Sequence, residues 1–231
     1  MLPVVDEVVV IDSYSSDRTQ AICEEMGARF LQHPFGGHIE QKHYAMQQAA
    51  HDYVLSLDAD ERLSPEMAQS VLSAKADWAA EGYAFNRLNN YCGTWLRHAW
   101  YPDRKVRLWD RRCGQWGGTN PHDKVVVQGQ VKRLYGDLLH YPYHSVMEHL
   151  DQISKFARIA AQAKFDQGKQ VSFVRDLVIG PWFQFFRLYV LKRGFLDGGY
   201  GFVYCGLSAV LNFLKYARLW ELRRHARRAA S

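Results

Sequence analysis

The sequence predicts an α/β fold with a mostly parallel sheet, and three observations carry that expectation. A run rich in β-branched residues, "VVDEVVVI" (Val4 to Ile11), closes on Asp12. A second apolar run, Tyr53 to Leu57, closes on Asp58, Asp60 and Glu61. Between and after these runs lie segments with helix start and stop signals, so strand and helix alternate. Continuous apolar strands belong to sheets covered on both faces. Alternation of strand and helix implies right-handed crossovers, with ligands gathered at the carboxyl ends of the strands.

Each element has a local reason. Val4 to Ile11 is the first strand. After the loop "SYSSDRT", Asp17 caps a helix that runs to about Met26 and stops at Gly27. Arg29 to Gln32 is a short second strand. Residues 39 to 50 follow the "FGG" loop as a helix. Tyr53 to Leu57 is the third strand, and Ser64-Pro65 opens another helix, serine as cap and proline in the first turn. From Tyr83 to about Tyr143 the pattern changes to short strands rich in Trp, Tyr, Arg and Gly, a hairpin-rich insert containing "KVRLWDRR" and "DKVVVQGQVKRLYGDLLHY". From Val146 the chain is helical, and from about Phe173 it is apolar, aromatic and basic at once. Gly198 to Tyr216 approaches membrane-spanning length but holds Asn212, Lys215 and several glycines. Helices lying in a membrane interface, broken at Gly180-Pro181 and Gly198-Gly199, account for this mixture. A helical cap packed on the sheet is the alternative.

The 231 residues suffice for one sizeable core with an appendage. At 48% hydrophobic and 14% aromatic the chain is globular rather than disordered. Its formal charge is +5, and Arg223, Arg224, Arg227 and Arg228 concentrate cations near the end. That placement, beside Trp, Phe and Leu helices, suits an anionic membrane surface better than nucleic acid. Four scattered cysteines without a C-x-x-C pair fit reduced thiols. No basic-then-apolar signal is seen at the start, which predicts no secretion.

If residues 58 to 60 are extended, Asp58 and Asp60 point the same way. Two converging carboxylates call for a cation, and Mg²⁺ or Mn²⁺ with substrate phosphates suits oxygen ligands. Turn chemistry, with Asp60 capping backbone and Glu61 solvated, is the bland alternative. Asp12, at another strand end, can accept from a nucleobase or a ribose. Neither G-x-G-x-x-G nor G-x-x-x-x-G-K-[ST] occurs, which argues against dinucleotide and P-loop chemistry.

The segments "VDEVVVIDSYSSDRTQAICEEMGA" and "HIEQKHYAMQQAAHDYVLSLDADERLSPEM" resemble the nucleotide half of family-2 glycosyltransferases. "WLRHAWYPDRKVRLWDRR", "NPHDKV", "GDLLHYPYHSVMEHL" and "RGFLDGGYGFVYCGLSAVLNFLKYARLWEL" resemble the branch that adds glucose in β-1,4 linkage to the inner core of bacterial lipopolysaccharide. The resemblance implies a GT-A-like, Rossmann-like mostly parallel sheet, with the insert and a membrane-associated C-terminal helical segment. It implies a glycosyltransferase domain over 1–145, with a nucleotide half 1–82 and an acceptor half 83–145, and an amphipathic helical region over 146–231. It also implies that Asp12 contacts uridine, that Asp60 with Asp58 holds the metal, and that Gln41 and Lys42 approach the nucleotide. Family members begin with a further strand and helix that finds no counterpart here, and their "QK" motif continues with Asn where this chain has His43.

Inverting transfer needs a base for the acceptor hydroxyl. Asp103 in "WYPDRK" is the first choice, beside Trp100 and Tyr101, which suit a sugar face; Asp123 in "NPHD" is the second. A salt bridge from Asp103 to Arg104 or Arg107 is the structural alternative. Arg104, Lys105 and Arg107 also suit phosphate, while His122 and His140 are candidate metal or phosphate contacts. The expected function is metal-dependent transfer of a hexose, by resemblance glucose, from a nucleotide-sugar donor to a lipid-linked saccharide acceptor at the cytoplasmic face of the bacterial inner membrane. A sugar nucleotidyltransferase and a truncated, inactive remnant or membrane-bound interaction protein are the alternatives.

Overall fold

The computed structural model describes residues 4–119 and 122–229, apart from the side chains of Thr119, His122 and Ala229. The chain divides into two compact units, one of Met1–Arg87 with Asp103–Leu139, the other of Leu88–Pro102 with His140–Ser231. Residues 88–102 and 140–145 therefore group with the later helices.

In the first unit, β1 (Val9–Asp12) pairs in parallel with β2 (Arg29–Gln32), forming a two-stranded sheet across α1 (Thr19–Glu25). The first strand is shorter than the apolar run. Val4 and Val5 pack instead on the core around Met67 and Val71, and Asp6 pairs with Lys75 of α3 at 2.6 Å. After α2 (His38–Gln48) come β3 (Tyr53–Leu55), β4 (Glu61–Leu63) and α3 (Pro65–Ala76). Ser64 caps α3 as its sequence predicts, its Oγ accepting Met67 N–H at 3.2 Å.

The other strands are β5 (Gly82–Tyr91), β6 (Thr94–Leu96), β7 (Asp103–Asp110), β8 (Gly114–Thr119), β9 (His122–Val127) and β10 (Val131–Tyr143). The larger sheet runs β3-β7-β5-β10-β4, with β6 on β5, while β8 and β9 form a separate antiparallel pair. Pairs β3–β7, β5–β7 and β5–β6 are antiparallel. Both senses thus occur, parallel in β1–β2 and antiparallel in these three pairs, to which the hairpin-rich insert contributes β5, β6 and β7.

Over its last four residues, Arg107 to Asp110, strand β7 is buried on both faces. Leu108 joins the core under α3 with Met67, Val71, Tyr83, Phe85 and Leu138. Trp109 faces the other way, into a cluster with Met46 of α2 and Trp116 of β8. A register shift against β5 interrupts the alternation at Arg107, so Val106 packs with the Trp109 cluster while Lys105 lies opposite Phe85 and Asp103 opposite Arg87.

The second unit contains α4 (Val146–Asp166), a helical stretch over residues 173–191 that includes α5 (Gly180–Phe186), and α6 (Gly198–Ala229). Gly180-Pro181 does not break the chain. Wide π-type turns precede and follow α5, and Gly180 N–H reaches Arg175 O, so Pro181 sits in a first turn where its missing N–H costs little. Breaks fall at Arg193, which is left-handed (φ 57°), and, as expected, at Gly198 (φ 69°), where α6 begins. There Asp197 is buried and accepts from the backbone N–H of Arg97 at 2.8 Å, His98 at 3.1 Å and Ala99 at 2.8 Å, and it contacts His98 Nδ1 at 2.9 Å. Gly201 is required beside it, since a Cβ would lie 2.2 Å from Gly194 O. Arg223 of α6 donates to Phe165 O at 2.9 Å and Lys169 O at 3.1 Å, closing the end of α4.

Residues 173–196 leave Phe173, Trp182, Phe183, Phe186, Leu191 and Phe195 exposed, Trp182 at 74%. Their one acid, Asp176, is buried and paired with Arg175, as Asp197 just beyond is buried too. Among the described residues no helix is long and apolar enough to cross a membrane.

Candidate active site

The acidic stretch after β3 is a turn, not an extended segment. Glu61 N–H donates to Asp58 O at 2.9 Å, and Asp58 N–H donates to Glu61 Oε2 at 3.1 Å. Ala59 and Asp60 form its exposed tip. The strand alternation expected to aim Asp58 and Asp60 together does not apply here. Glu61, expected in solvent if the acids were only turn residues, has a side chain 0% exposed. Arginines make that burial possible.

Those arginines belong to one path of alternating charge. Asp123 Oδ2 meets Lys42 Nζ at 2.8 Å, and the same Nζ meets Asp58 Oδ1 at 2.7 Å. Asp58 Oδ2 accepts from Arg107 Nη2 at 2.7 Å, which also reaches Glu61 Oε1 at 2.6 Å. Glu61 Oε1 accepts from Arg87 Nη1 at 3.1 Å, and Arg87 Nη2 donates to Asp103 Oδ2 at 2.5 Å. Lys105 closes the path, 3.4 Å from Asp103 Oδ1. Six predicted residues (Lys42, Asp58, Asp103, Lys105, Arg107 and Asp123) are thus joined through two that sequence reasoning missed, Glu61 and Arg87. Burial raises the Asp58 pKa, but Arg107 and Lys42 outweigh it and hold the carboxyl down to about 2.

Asp103 does not pair with Arg104 or Arg107. Its partner is Arg87, directly opposite in the β5–β7 register. Lys105, two residues on, shares its face, whereas Arg104 alternates away and is exposed. The register of the hairpin was the missing signal.

Beside the charge path, α2 reaches the end of β1. Asp12 accepts from Ser15 N–H at 2.8 Å and from its hydroxyl, which lower its pKa. Gln41 donates to Ser13 Oγ at 3.0 Å and contacts His33 Nδ1 at 3.0 Å. Successive residues of one helix, Gln41 and Lys42, thereby address the two strand ends that carry Asp12 and Asp58.

Other predicted residues belong to the second unit. Trp100 stacks on Tyr204 (4.9 Å, 13°), so this ring packs within an aromatic cluster that also holds Tyr143. Tyr101 is half-buried and precedes a cis proline, Pro102. His140 is buried, its Nδ1 2.6 Å from Asn89 Oδ1. The His122 side chain lies outside the described residues.

For a divalent cation the donor set is specific. Among the described residues no three His, Cys, Asp or Glu side chains gather to hold a metal. Both Asp58 oxygens already meet cations, and Asp60 lies exposed at the tip of the turn. One carboxylate fits a Mg²⁺ or Mn²⁺ ion that arrives with substrate phosphates. Lys42 lies 4.8 Å from the Trp116 ring centre and the Arg107 guanidinium 5.8 Å. Arg107 Nε and Trp116 Nε1 are buried there without an acceptor among the described residues.

Residues 4–133 match the model of a family described as Glycosyl transferase family 2. An uncharacterized glycosyltransferase of Rickettsia typhi is 29% identical over 232 positions, covering 95% of this chain and 79% of that one. One from Rickettsia felis is 29% identical over 231 positions, covering 94% and 81%. The lipopolysaccharide core biosynthesis glycosyltransferase LpsC of Rhizobium meliloti is 28% identical over 236 positions, covering 96% and 85%.

Proposed function

The chain belongs to glycosyl transferase family 2, and from that premise we propose that it moves a hexose, glucose first among the candidates, from a UDP-sugar to a lipid-linked saccharide of the lipopolysaccharide core, with inversion. Family membership replaces the nucleotidyltransferase alternative with a glycosyltransferase. The observation that carries the reading is the charge path, which links the acidic turn, Lys42 and both candidate bases within one unit. The name of the Rhizobium meliloti relative supports the acceptor class.

In this reading Asp12 and Gln41 receive the uridine end of the donor. Lys42 and Arg107 lend positive charge to the diphosphate, and Asp60 is the residue that would hold a divalent cation. Such a cation supplies neutralisation of the charge that develops on the departing nucleotide. Asp103 takes the proton of the acceptor hydroxyl; Arg87 grips its Oδ2 and so fixes the carboxylate plane. Asp123 is the second choice, since its Lys42 contact can yield to a phosphate.

The second unit rests on an anionic membrane surface at the cytoplasmic face of the inner membrane. Supporting this is an exposed face at residues 173–196 that is apolar and cationic, its acid withdrawn into the unit.

Calorimetric titration with UDP-glucose, with and without Mn²⁺, tests the donor site. Wild type should bind more tightly with Mn²⁺, and Asp60→Ala should lose that difference. Equal affinity in all conditions removes the metal from the mechanism, and no binding to any of a panel of UDP-hexoses removes the transferase reading. Asp103→Asn should bind donor normally and lose roughly a hundred- to ten-thousand-fold in transfer to lipopolysaccharide core. If Asp123→Asn behaves so instead, the base is Asp123.

A further inference from the structure

On the transferase reading above, we propose that Glu61 is a positioning residue that sets the acidic turn and the Asp103 carboxylate in one fixed relation. It touches no substrate, since its side chain is fully buried. It closes the turn from both ends, its own N–H on Asp58 O and its Oε2 on Asp58 N–H, and so fixes how Asp60 is presented. Its Oε1 receives two arginines that lead in different directions. Arg107 returns to Asp58 Oδ2 of the same turn, and Arg87 leads across β5 to Asp103.

The Arg87 link is geometrically stiff. A guanidinium is a planar fork, so one edge on Glu61 and the other on Asp103 hold the two carboxylates at a set spacing and angle. A lysine at this position would keep the charge and lose the fork. Fold stability is a weak reason for such a group. A carboxylate and two arginines in a buried place pay desolvation, and apolar side chains of similar volume are typically as stable. What apolar residues cannot reproduce is the fixed geometry between a turn that addresses the leaving diphosphate and a carboxylate that addresses the acceptor.

The test uses the whole chain, with UDP and Mn²⁺ as binding probes and UDP release from UDP-glucose as the rate. Free Mn²⁺, followed by electron paramagnetic resonance in the presence of UDP, gives a readout independent of turnover. Glu61→Gln keeps the shape and removes the charge. It should weaken Mn²⁺ binding roughly tenfold and slow UDP release by at least as much. Arg87→Lys should leave Mn²⁺ affinity within about twofold and slow UDP release roughly tenfold, because only the fork to Asp103 is lost. The double variant should be no slower than Glu61→Gln alone, since both act through one link.

A purely structural Glu61 would lower the unfolding temperature and leave the Mn²⁺ affinity of the folded protein unchanged, and that result overturns the proposal. So does a double variant whose losses multiply. Should Glu61→Gln fail to fold, folded Arg87→Lys with wild-type UDP release overturns it equally. Wild type that binds neither UDP nor Mn²⁺ sinks the transferase reading and this one together, and is told apart because the variants are then not needed.

Discussion

His149 is buried with its Nδ1 2.9 Å from the Tyr91 hydroxyl, and burial pushes its pKa from 6.5 down to about 4. The folded value lies below the unfolded one, so between those two pH values the unfolded chain takes up a proton that the native chain refuses. Stability should therefore fall as pH drops from about 6.5 to 4, by about 3 kcal/mol in all, and level off below. Denaturant midpoints across this range test it: His149→Gln should start lower and flatten the curve, and an unchanged slope removes His149 as the cause. Asp58 works in a separate window. Its carboxyl is depressed from 3.8 to about 2 by Arg107 and Lys42 against burial, so its contribution is complete above the unfolded value and disappears toward pH 2. Which residue types carry the site was legible at this scale, because acids at strand ends and a lysine beside them have few other uses. Which residue holds which was not. Nearest neighbours in sequence suggested Arg104 or Arg107 for Asp103, and the partner is Arg87, 16 residues away across a hairpin. Glu61 could not be told from a solvated turn acid without knowing that two arginines from other strands converge on it.

The segment around Asp197 shows what an element needs beyond its propensity. Three backbone N–H groups of residues 97–99 end on one buried carboxylate, which ties the loop after β6 to the start of α6. Asp197→Ala leaves those donors without their acceptor, at a cost of at least about 3 kcal/mol. Thermal unfolding should then shift down by roughly 6–12 °C, with Asp197→Asn intermediate because one oxygen survives. A shift within about 2 °C would show that water replaces the carboxylate. Helix α3 was readable in advance, since its serine cap and first-turn proline are local signals. The π-type turns flanking α5 were not. Gly180-Pro181 signals a break on local rules, and the wider turn before it removes the clash only when neighbouring helices hold it in place. The run Tyr53–Leu57 was likewise overextended, since only Tyr53–Leu55 pairs as strand and the rest prepares the turn.

At the scale of the whole molecule, class, alternation and the parallel β1–β2 pair were legible in the sequence, but the antiparallel pairs of the larger sheet were not. Apolar runs identify strands, whereas direction depends on which strands become neighbours, and the insert brings antiparallel ones. The exposed face at residues 173–196 leads to a prediction for the protein entire. Trp182→Ser with Phe183→Ser should reduce co-sedimentation with phosphatidylglycerol vesicles roughly tenfold or more, since burying one such side chain is worth about 1.5–3 kcal/mol. High salt should weaken binding further by screening the cations. Sedimentation unchanged by both treatments would leave that face without a lipid role. Arg223 carries a last consequence, because it closes the end of α4 by holding Phe165 O and Lys169 O. It is therefore a fastening and not a spare cation. Proteolytic trimming that stops after Arg223 should leave α4 as protected as before, whereas a cut one residue earlier should fray its last turn and open the stretch around Gly168 to further digestion.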